Sequence, residues 1–266
     1  MTTTPHALVL TGFGINCDNE TQLVFERAGA TATRVHLNDL AERPEQLRDA
    51  QILAVPGGFS FGDHVASGRI LANRLRYRLR EPLKEFVAAG KLAIGICNGF
   101  QVLTKMGMLP LTTGDFAQEV TLTHNDSNRY EDRWVTLLGE AGSKSVWTRG
   151  IAALEVPVRH GEGKFVPRDA ALLAKLEANG QIALRYAGSD GAPAQGVYPA
   201  NPNGSVGDIA GICDPSGRIF GLMPHPEAYW QRTNHPQWTR MELPEEGAGM
   251  QIFRNAVAFA REAFPA

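Results

Sequence analysis

The sequence predicts an α/β fold: three layers, with a mostly parallel central sheet flanked by helices and an additional antiparallel portion. Three observations carry that expectation. Short apolar runs alternate with amphipathic stretches as far as Met106, the rhythm of strands joined by crossover helices. Glycine-rich turns follow three of those runs directly, at Gly12, Gly57 and Gly95–Gly99, where a parallel sheet presents its ligand-binding edge. Beyond Pro110 the runs shorten, polar turns separate them, and Asp214-Pro215-Ser216-Gly217 gives a strong hairpin signal.

In chain order, Ala7 to Leu10 is a first strand. Asp18 to Ala28 has helical spacing, with Asp18 or Asn19 able to cap it and Gly29 to stop it. Arg34 to Leu37 and Gln51 to Pro56 are the next two strands. Ile70 to Ala88 is an Arg-rich amphipathic helix interrupted near Pro82, and its run Arg69, Arg74, Arg76, Arg78, Arg80 suits either a solvated face or a partner or phosphate contact. Leu92 to Ile96 is a buried strand and Asn98 to Met106 a helix. Glu119 to Thr123 and Trp134 to Leu137 read as antiparallel strands on either side of His124 to Arg129. Val156 to Arg159 and Gln181 to Ala187 are further strands, with a helix over Ala170 to Asn179 between them. Ile209 to Cys213 and Arg218 to Met223 form the hairpin, and a last helix runs from Gly249 to Phe264 with Met250, Phe253, Val257 and Ala260 inward. No linker, repeat or low-complexity segment divides the chain, so residues 1–266 are expected to form one domain.

Composition bounds the function. The chain has 266 residues, 43% hydrophobic, enough to bury a sizeable core, and a net charge of −2, which excludes the basic footprint of a nucleic-acid binder. Cys17, Cys97 and Cys213 are odd in number and lack Cys-x-x-Cys spacing, so a disulfide framework or a metal site is not expected and a reducing compartment is. Met1-Thr2-Thr3-Thr4-Pro5-His6 has no basic region followed by an apolar one, and no run reaches membrane-spanning length; the expected location is the cytoplasm.

The chemistry concentrates at two places. Gly95-Ile96-Cys97-Asn98-Gly99 is a cysteine version of the nucleophile elbow, a tight strand-to-helix turn that aims the nucleophile at a helix N-terminus. Bulky residues at either glycine would collide with the neighbouring strand and helix. The alternative reading is a buried cysteine that ends a core strand. The second place is Met223-Pro224-His225-Pro226-Glu227. Two apart in an extended segment, His225 and Glu227 would project to one face, the carboxylate accepting the imidazole Nδ1–H and leaving Nε2 for a nucleophile. Pro56-Gly57-Gly58 supplies backbone N–H groups without a Cβ in the way; Gly58 and Asn98 N–H groups facing one point would make an oxyanion hole.

These motifs together resemble the class I, triad-type glutamine amidotransferases, whose domain is flavodoxin-like. Gly12-Phe-Gly-Ile-Asn-Cys-Asp18, Pro56-Gly-Gly-Phe-Ser-Phe-Gly-Asp63, His160-Gly-Glu-Gly-Lys-Phe165, Asn201-Pro-Asn-Gly-Ser205 and the His225 segment are similar to the branch formed by the glutaminase subunits of phosphoribosylformylglycinamidine synthase. The segments 137–154 and 230–246 are longer than in compact members. The resemblance implies L-glutamine as substrate, Cys97, His225 and Glu227 as the triad, and Gly58 and Asn98 as the oxyanion hole. Gln101 matches the family position that contacts bound glutamine, and Asn125, Ser127 and Arg129 are candidates for its α-carboxylate and α-amino groups. A glutaminase needs a destination for ammonia, and no phosphate loop is present: Gly139 to Ser145 has the wrong spacing. The resemblance therefore implies no cofactor in this chain, ATP and Mg²⁺ on a separate synthetase subunit, and room for a small third subunit. The 230–246 tail and the His160–Phe165 loop are candidates to dock that partner. A glutaminase of another amidotransferase, a peptidase- or deglycase-type cysteine hydrolase, and a docking subunit with a dead site are the rival readings.

Overall fold

The computed structural model describes residues 4–265; Met1 to Thr3, part of the stretch inspected for a targeting signal, and Ala266 lie outside them. The first half of the chain contains β1 (His6–Thr11), α1 (Asp18–Arg27), β2 (Thr31–His36), α2 (Leu37–Glu42), α3 (Gln46–Asp49), β3 (Ile52–Val55), α4 (Arg69–Ala88), β4 (Leu92–Ile96) and α5 (Asn98–Met106). The second half adds β5 (Val120–Thr123), β6 (Glu131–Gly139), β7 (Ala153–His160), β8 (Lys164–Pro167), α6 (Ala170–Ala178), β9 (Ile182–Ala187), β10 (Ile209–Cys213), β11 (Ile219–Leu222) and α7 (Met250–Ala263).

A nine-stranded sheet orders these as β2-β1-β3-β4-β11-β10-β9-β6-β7. From β2 to β11 every neighbouring pair is parallel; from β11 to β7 every pair is antiparallel. Strands β9 and β7 each pair with a neighbour that runs backward, so they point the same way as the first five. The sheet is therefore mostly parallel in direction, although its second half is built from antiparallel contacts. Every residue of β3 and β4 is buried, as expected for central strands covered on both faces. One helical group is α1 with α7, locked by an edge-to-face contact between Phe25 and Phe253. The other is α2, α3, α4 and α5.

One register positions the site. Strand β11 lies parallel to β4 with Leu222 opposite Ile96, and the Cys97 N–H donates to the Leu222 carbonyl at 2.8 Å. The two strands end level, so Cys97 and the His225 segment leave the sheet side by side at its carboxyl edge.

Three expectations need correction. Neither Asp18 nor Asn19 caps α1; Arg34 draws both side chains away, at 3.2 and 2.6 Å, and Cys17 takes the cap position without a side-chain bond. Helix α4 runs unbroken through Pro82. Leu75, Leu79, Leu83 and Phe86 hold both halves on the core, and the carbonyl that Pro82 deprives of a partner belongs to exposed Arg78. Strands β5 and β6 exist but do not pair with each other: β5 pairs with β8 in a separate two-stranded sheet, and β6 lies between β9 and β7.

The long segments have packing roles. Trp147 is fully buried, donates Nε1–H to the Arg218 carbonyl at 2.8 Å, and its own carbonyl accepts from Asn255 of α7. In the tail, His235 packs edge-on against Trp134 of β6 and bonds Glu155 of β7 at 3.3 Å, covering that end of the sheet. No described helix is long and apolar enough to cross a membrane.

Candidate active site

Cys97 stands between β4 and α5 with φ 51° and ψ −107°, a conformation few non-glycine residues adopt. Such backbone costs about 1–3 kcal/mol and persists only where the surroundings enforce it. Here crowding enforces it. A Cβ on Gly99 would lie 1.7 Å from the Val55 carbonyl oxygen of β3, and one on Gly95 would lie 2.6 Å from the Gly99 oxygen. Helix α5 thus starts in contact with the sheet, and the bend has nowhere else to go.

His225 and Glu227 meet, but not by the expected route. Pro226–Ala228 is a 3₁₀ turn rather than an extended strand, and the turn folds the carboxylate back onto the ring: Nδ1 to Oε1 is 2.6 Å, with both side chains almost wholly buried. The His225 backbone N–H donates to the Pro157 carbonyl of β7 at 2.8 Å, tying this segment to the antiparallel half. Burial alone would lower the proton affinity of His225. The negative charge of Glu227 and the neighbouring Cys97 sulfur, together with the contact from the Cys17 sulfur, carry it well above the usual histidine value. Both sulfurs therefore sit beside the imidazole. Neither closes an aligned hydrogen bond with it: among the described residues Nε2 has no partner, and the Cys97 thiol donates to the Arg159 carbonyl at 3.6 Å.

The two glycines after β3 have different jobs. A Cβ on Gly57 would strike His225 Cε1 at 2.7 Å, so Gly57 makes room for the imidazole. Gly58, at φ +147°, packs against the backbone of Gly14 to Asn16. Among the described residues the hydrogen bonds of this loop use the N–H groups of Phe59, Phe61 and Gly62 but not that of Gly58. Asn98 Oδ1 accepts from the Ser60 N–H at 3.2 Å, which ties this loop to the elbow. The Asn98 backbone N–H, at the first position of α5, needs no partner within the helix.

Gln101 is buried, its Oε1 accepting from Asn98 Nδ2 at 2.8 Å and its Nε2 donating to the Glu162 carbonyl at 2.7 Å. It clamps the elbow to the His160–Phe165 loop, with one amide hydrogen still to spare. Behind that loop lies a buried polar network. His160 Nδ1 faces Asn125 Oδ1 at 3.1 Å, and its Nε2 faces Asn203 Nδ2 at 3.4 Å. Asn203 also donates to the Tyr186 hydroxyl and accepts from Ser205 Oγ. Burial drives His160 down to about 3, so the ring is neutral.

The loop candidates separate here. Asn125 is spent on the fold: Nδ2 donates to the Arg129 and His160 carbonyls while Oδ1 also accepts from the Gly163 N–H, leaving nothing for a substrate. Ser127 Oγ donates to the buried Glu131 carboxylate at 2.7 Å. For these two residues a substrate contact is corrected to a structural role. Arg129 is exposed, next to Tyr130. Partial burial first, and then the influence of Cys97, raises the Tyr130 phenol, and its ring lies 6.3 Å from Phe59. The His160–Phe165 loop, expected on a docking face, is largely interior, with His160, Gly163 and Phe165 buried. Sequence reasoning missed Cys17 and Tyr130. The sequence signals for Cys17 were its place just after β1, at the same sheet edge as the elbow, and its membership of the Gly12–Asp18 motif.

The comparisons agree with this geometry. Residues 4–260 match the model of the CobB/CobQ-like glutamine amidotransferase domain. Phosphoribosylformylglycinamidine synthase subunit PurQ of Methanococcus maripaludis is 44% identical over 96% of this chain and 97% of its own. The protein of the same name from Dehalococcoides mccartyi is 47% identical, with the same coverage of both chains. A chain of the PurLQS structure from Thermotoga maritima superposes with a TM-score of 0.72 at 27% identity, covering 97% of this chain and 99% of that one. The chain belongs to the CobB/CobQ-like glutamine amidotransferase family and, within it, to the phosphoribosylformylglycinamidine synthase subunits.

Proposed function

We propose that the chain hydrolyses L-glutamine to glutamate and ammonia, and passes the ammonia to a synthetase subunit that converts formylglycinamide ribonucleotide to formylglycinamidine ribonucleotide with ATP, in cytoplasmic purine biosynthesis. The carrying observation is Cys97, held in a strained elbow beside an imidazole that Glu227 grips from behind. The relatives' name and the multi-subunit structure that this chain resembles supply the pathway and the partner.

In this mechanism Cys97 gives its proton to His225 Nε2 and the sulfur attacks the side-chain amide carbon of glutamine. Gly58 and Asn98 N–H groups receive the oxyanion; each donor of this kind is worth about 3 kcal/mol in the transition state. The imidazolium returns the proton to the leaving nitrogen, and ammonia departs. His225 then draws a proton from water, which opens the thioester, releases glutamate and restores the thiol. Glu227 keeps Nδ1 protonated and steadies the imidazolium between these steps. The spare hydrogen of Gln101 meets the substrate amide, and Arg129 at the mouth suits the α-carboxylate. ATP and Mg²⁺ belong to the synthetase, and a small third subunit joins the complex. The test is Cys97→Ala in the complex. Glutamine-dependent amidation falls by at least about 10⁴-fold while ammonia-dependent synthesis persists; a variant that still uses glutamine would place the nucleophile elsewhere.

A further inference from the structure

The proposed mechanism leaves one group in the site unused: Cys17. Its Sγ, a ring nitrogen of His225 and a carboxylate oxygen of Glu227 all lie within 4.8 Å of one another. Gly57 is what permits the approach, since a Cβ there would stand 3.3 Å from the Cys17 sulfur as well as against the ring. Glu227 Oε2, on a side chain 1% exposed, has no hydrogen-bond partner among the described residues. Cys17 itself is only partly buried, which leaves a way in from solvent.

We propose that Cys17, His225 and Glu227 form an inhibitory site for a thiophilic divalent cation of the Zn²⁺ type. Thiolate, imidazole and carboxylate are a zinc donor set, three protein ligands with a fourth position open to water. Bonds of about 2.0–2.3 Å require only a modest contraction of this cluster, and the 2.6 Å contact between Nδ1 and Oε1 opens to admit the ion. Mg²⁺ prefers an all-oxygen shell and does not compete. Binding releases the Cys17 thiol proton to solvent and shifts the Nδ1 proton to Nε2. A neutral imidazole carries one N–H and one lone pair; with the lone pair of Nδ1 on the metal, the hydrogen resides on Nε2, which then cannot accept the proton of Cys97. The ion turns the proposed base off without touching the nucleophile. This consequence rests on the glutaminase reading; the binding does not.

The experiment therefore measures both. The Cys97→Ala chain is titrated with Zn²⁺ by calorimetry and with Co²⁺ by absorbance. The expected result is one ion per chain with a thiolate-to-cobalt charge-transfer band, and loss of the band with binding weakened at least about tenfold when Cys17→Ala is added. Glu227→Gln in the same background weakens binding while leaving the thiol in place, and serves if the Cys17 variant does not fold. In the wild-type complex Zn²⁺ suppresses glutamine-dependent synthesis and spares ammonia-dependent synthesis. With each variant scaled to its own uninhibited rate, Cys17→Ala needs at least about tenfold more Zn²⁺ for the same suppression. A Cys97→Ala chain that binds no ion, or a band indifferent to Cys17, overturns the proposal. If the chain binds Zn²⁺ through Cys17 but releases no ammonia from glutamine, the glutaminase reading fails and the metal site stands.

Discussion

The two walls of the site are rigid for different reasons. On the elbow side, position is fixed by contact: Gly95, Gly99 and the Val55 carbonyl leave Cys97 no other path. On the far side, the Asn125–His160–Asn203 network holds the His160–Phe165 loop, and through Glu162 and Gln101 it reaches the elbow. Steric exclusion is indifferent to protonation, whereas a hydrogen-bond network built on a neutral histidine is not. The strained Cys97 sits on the wall that pH cannot loosen. His225 stands on the seam, its segment leaving a strand parallel to β4 and bonded to β7.

Gly99→Ala attacks the contact wall directly. Backbone must move by more than 1 Å to admit the methyl group, so the expected loss is upwards of ~3 kcal/mol in urea unfolding, with glutaminase activity lost alongside. A variant of near-normal stability would mean that crowding does not set the elbow. At the seam, Glu227→Gln removes the carboxylate that raises His225. We expect kcat/KM for glutamine to fall about 10²-fold, less than for Cys97→Ala, and its acid limb to move to lower pH as His225 becomes the neutral base more readily. An unmoved limb, or a loss as large as that of Cys97→Ala, would assign Glu227 another role. On the network wall, His160 is held neutral with a folded value of about 3 against an ordinary 6.5. The unfolded chain takes up a proton there below pH 6.5 and the folded chain does not. Stability contributed by this residue is thus complete above pH 6.5 and falls by up to ~1.4 kcal/mol per unit as pH drops toward 3. His160→Gln should flatten that slope in unfolding curves between pH 7 and 5, whatever offset it adds. Equal slopes would show that His160 does not couple the network to pH.

The same contrast explains what could be read from the sequence. The contact wall is local: strand, bend, helix and both glycines lie between Leu92 and Met106, and the steric reason for the glycines is visible in residue sizes alone. The hairpin of β10 and β11 is local too, as its turn residues announce. What could not be read depends on partners far away in the chain. Asn125 looked like a polar turn residue able to hold a substrate because its hydrogen-bond partners, 35 and 38 residues on, are unknown until β7 and β8 are placed. The pairing of β5 with β8 rather than β6 is a choice between equally good alternating strands. Asp18 looked like a helix cap because Arg34, sixteen residues later, was out of view. His225 and Glu227 were matched correctly by chemistry, yet their contact comes from a 3₁₀ turn that two flanking prolines impose, not from strand alternation.

The smallest predicted effect separates the network wall from the substrate itself. Ser127 Oγ sits between the Glu131 carboxylate and the Arg129 N–H, and Arg133 holds the other oxygen of Glu131 at 2.6 Å. Removing the hydroxyl takes one hydrogen bond from a carboxylate that keeps its guanidinium partner, so Ser127→Ala should cost only about 1 kcal/mol of stability. Because the hydroxyl faces Glu131 and not an open mouth, KM for glutamine should change by less than about twofold, whereas loss of a true α-group contact of ~1.4 kcal/mol would raise it about tenfold. The steady-state KM of this variant decides whether the 125–129 loop shapes the pocket from behind or touches what enters it, and a tenfold rise would return Ser127 to the substrate.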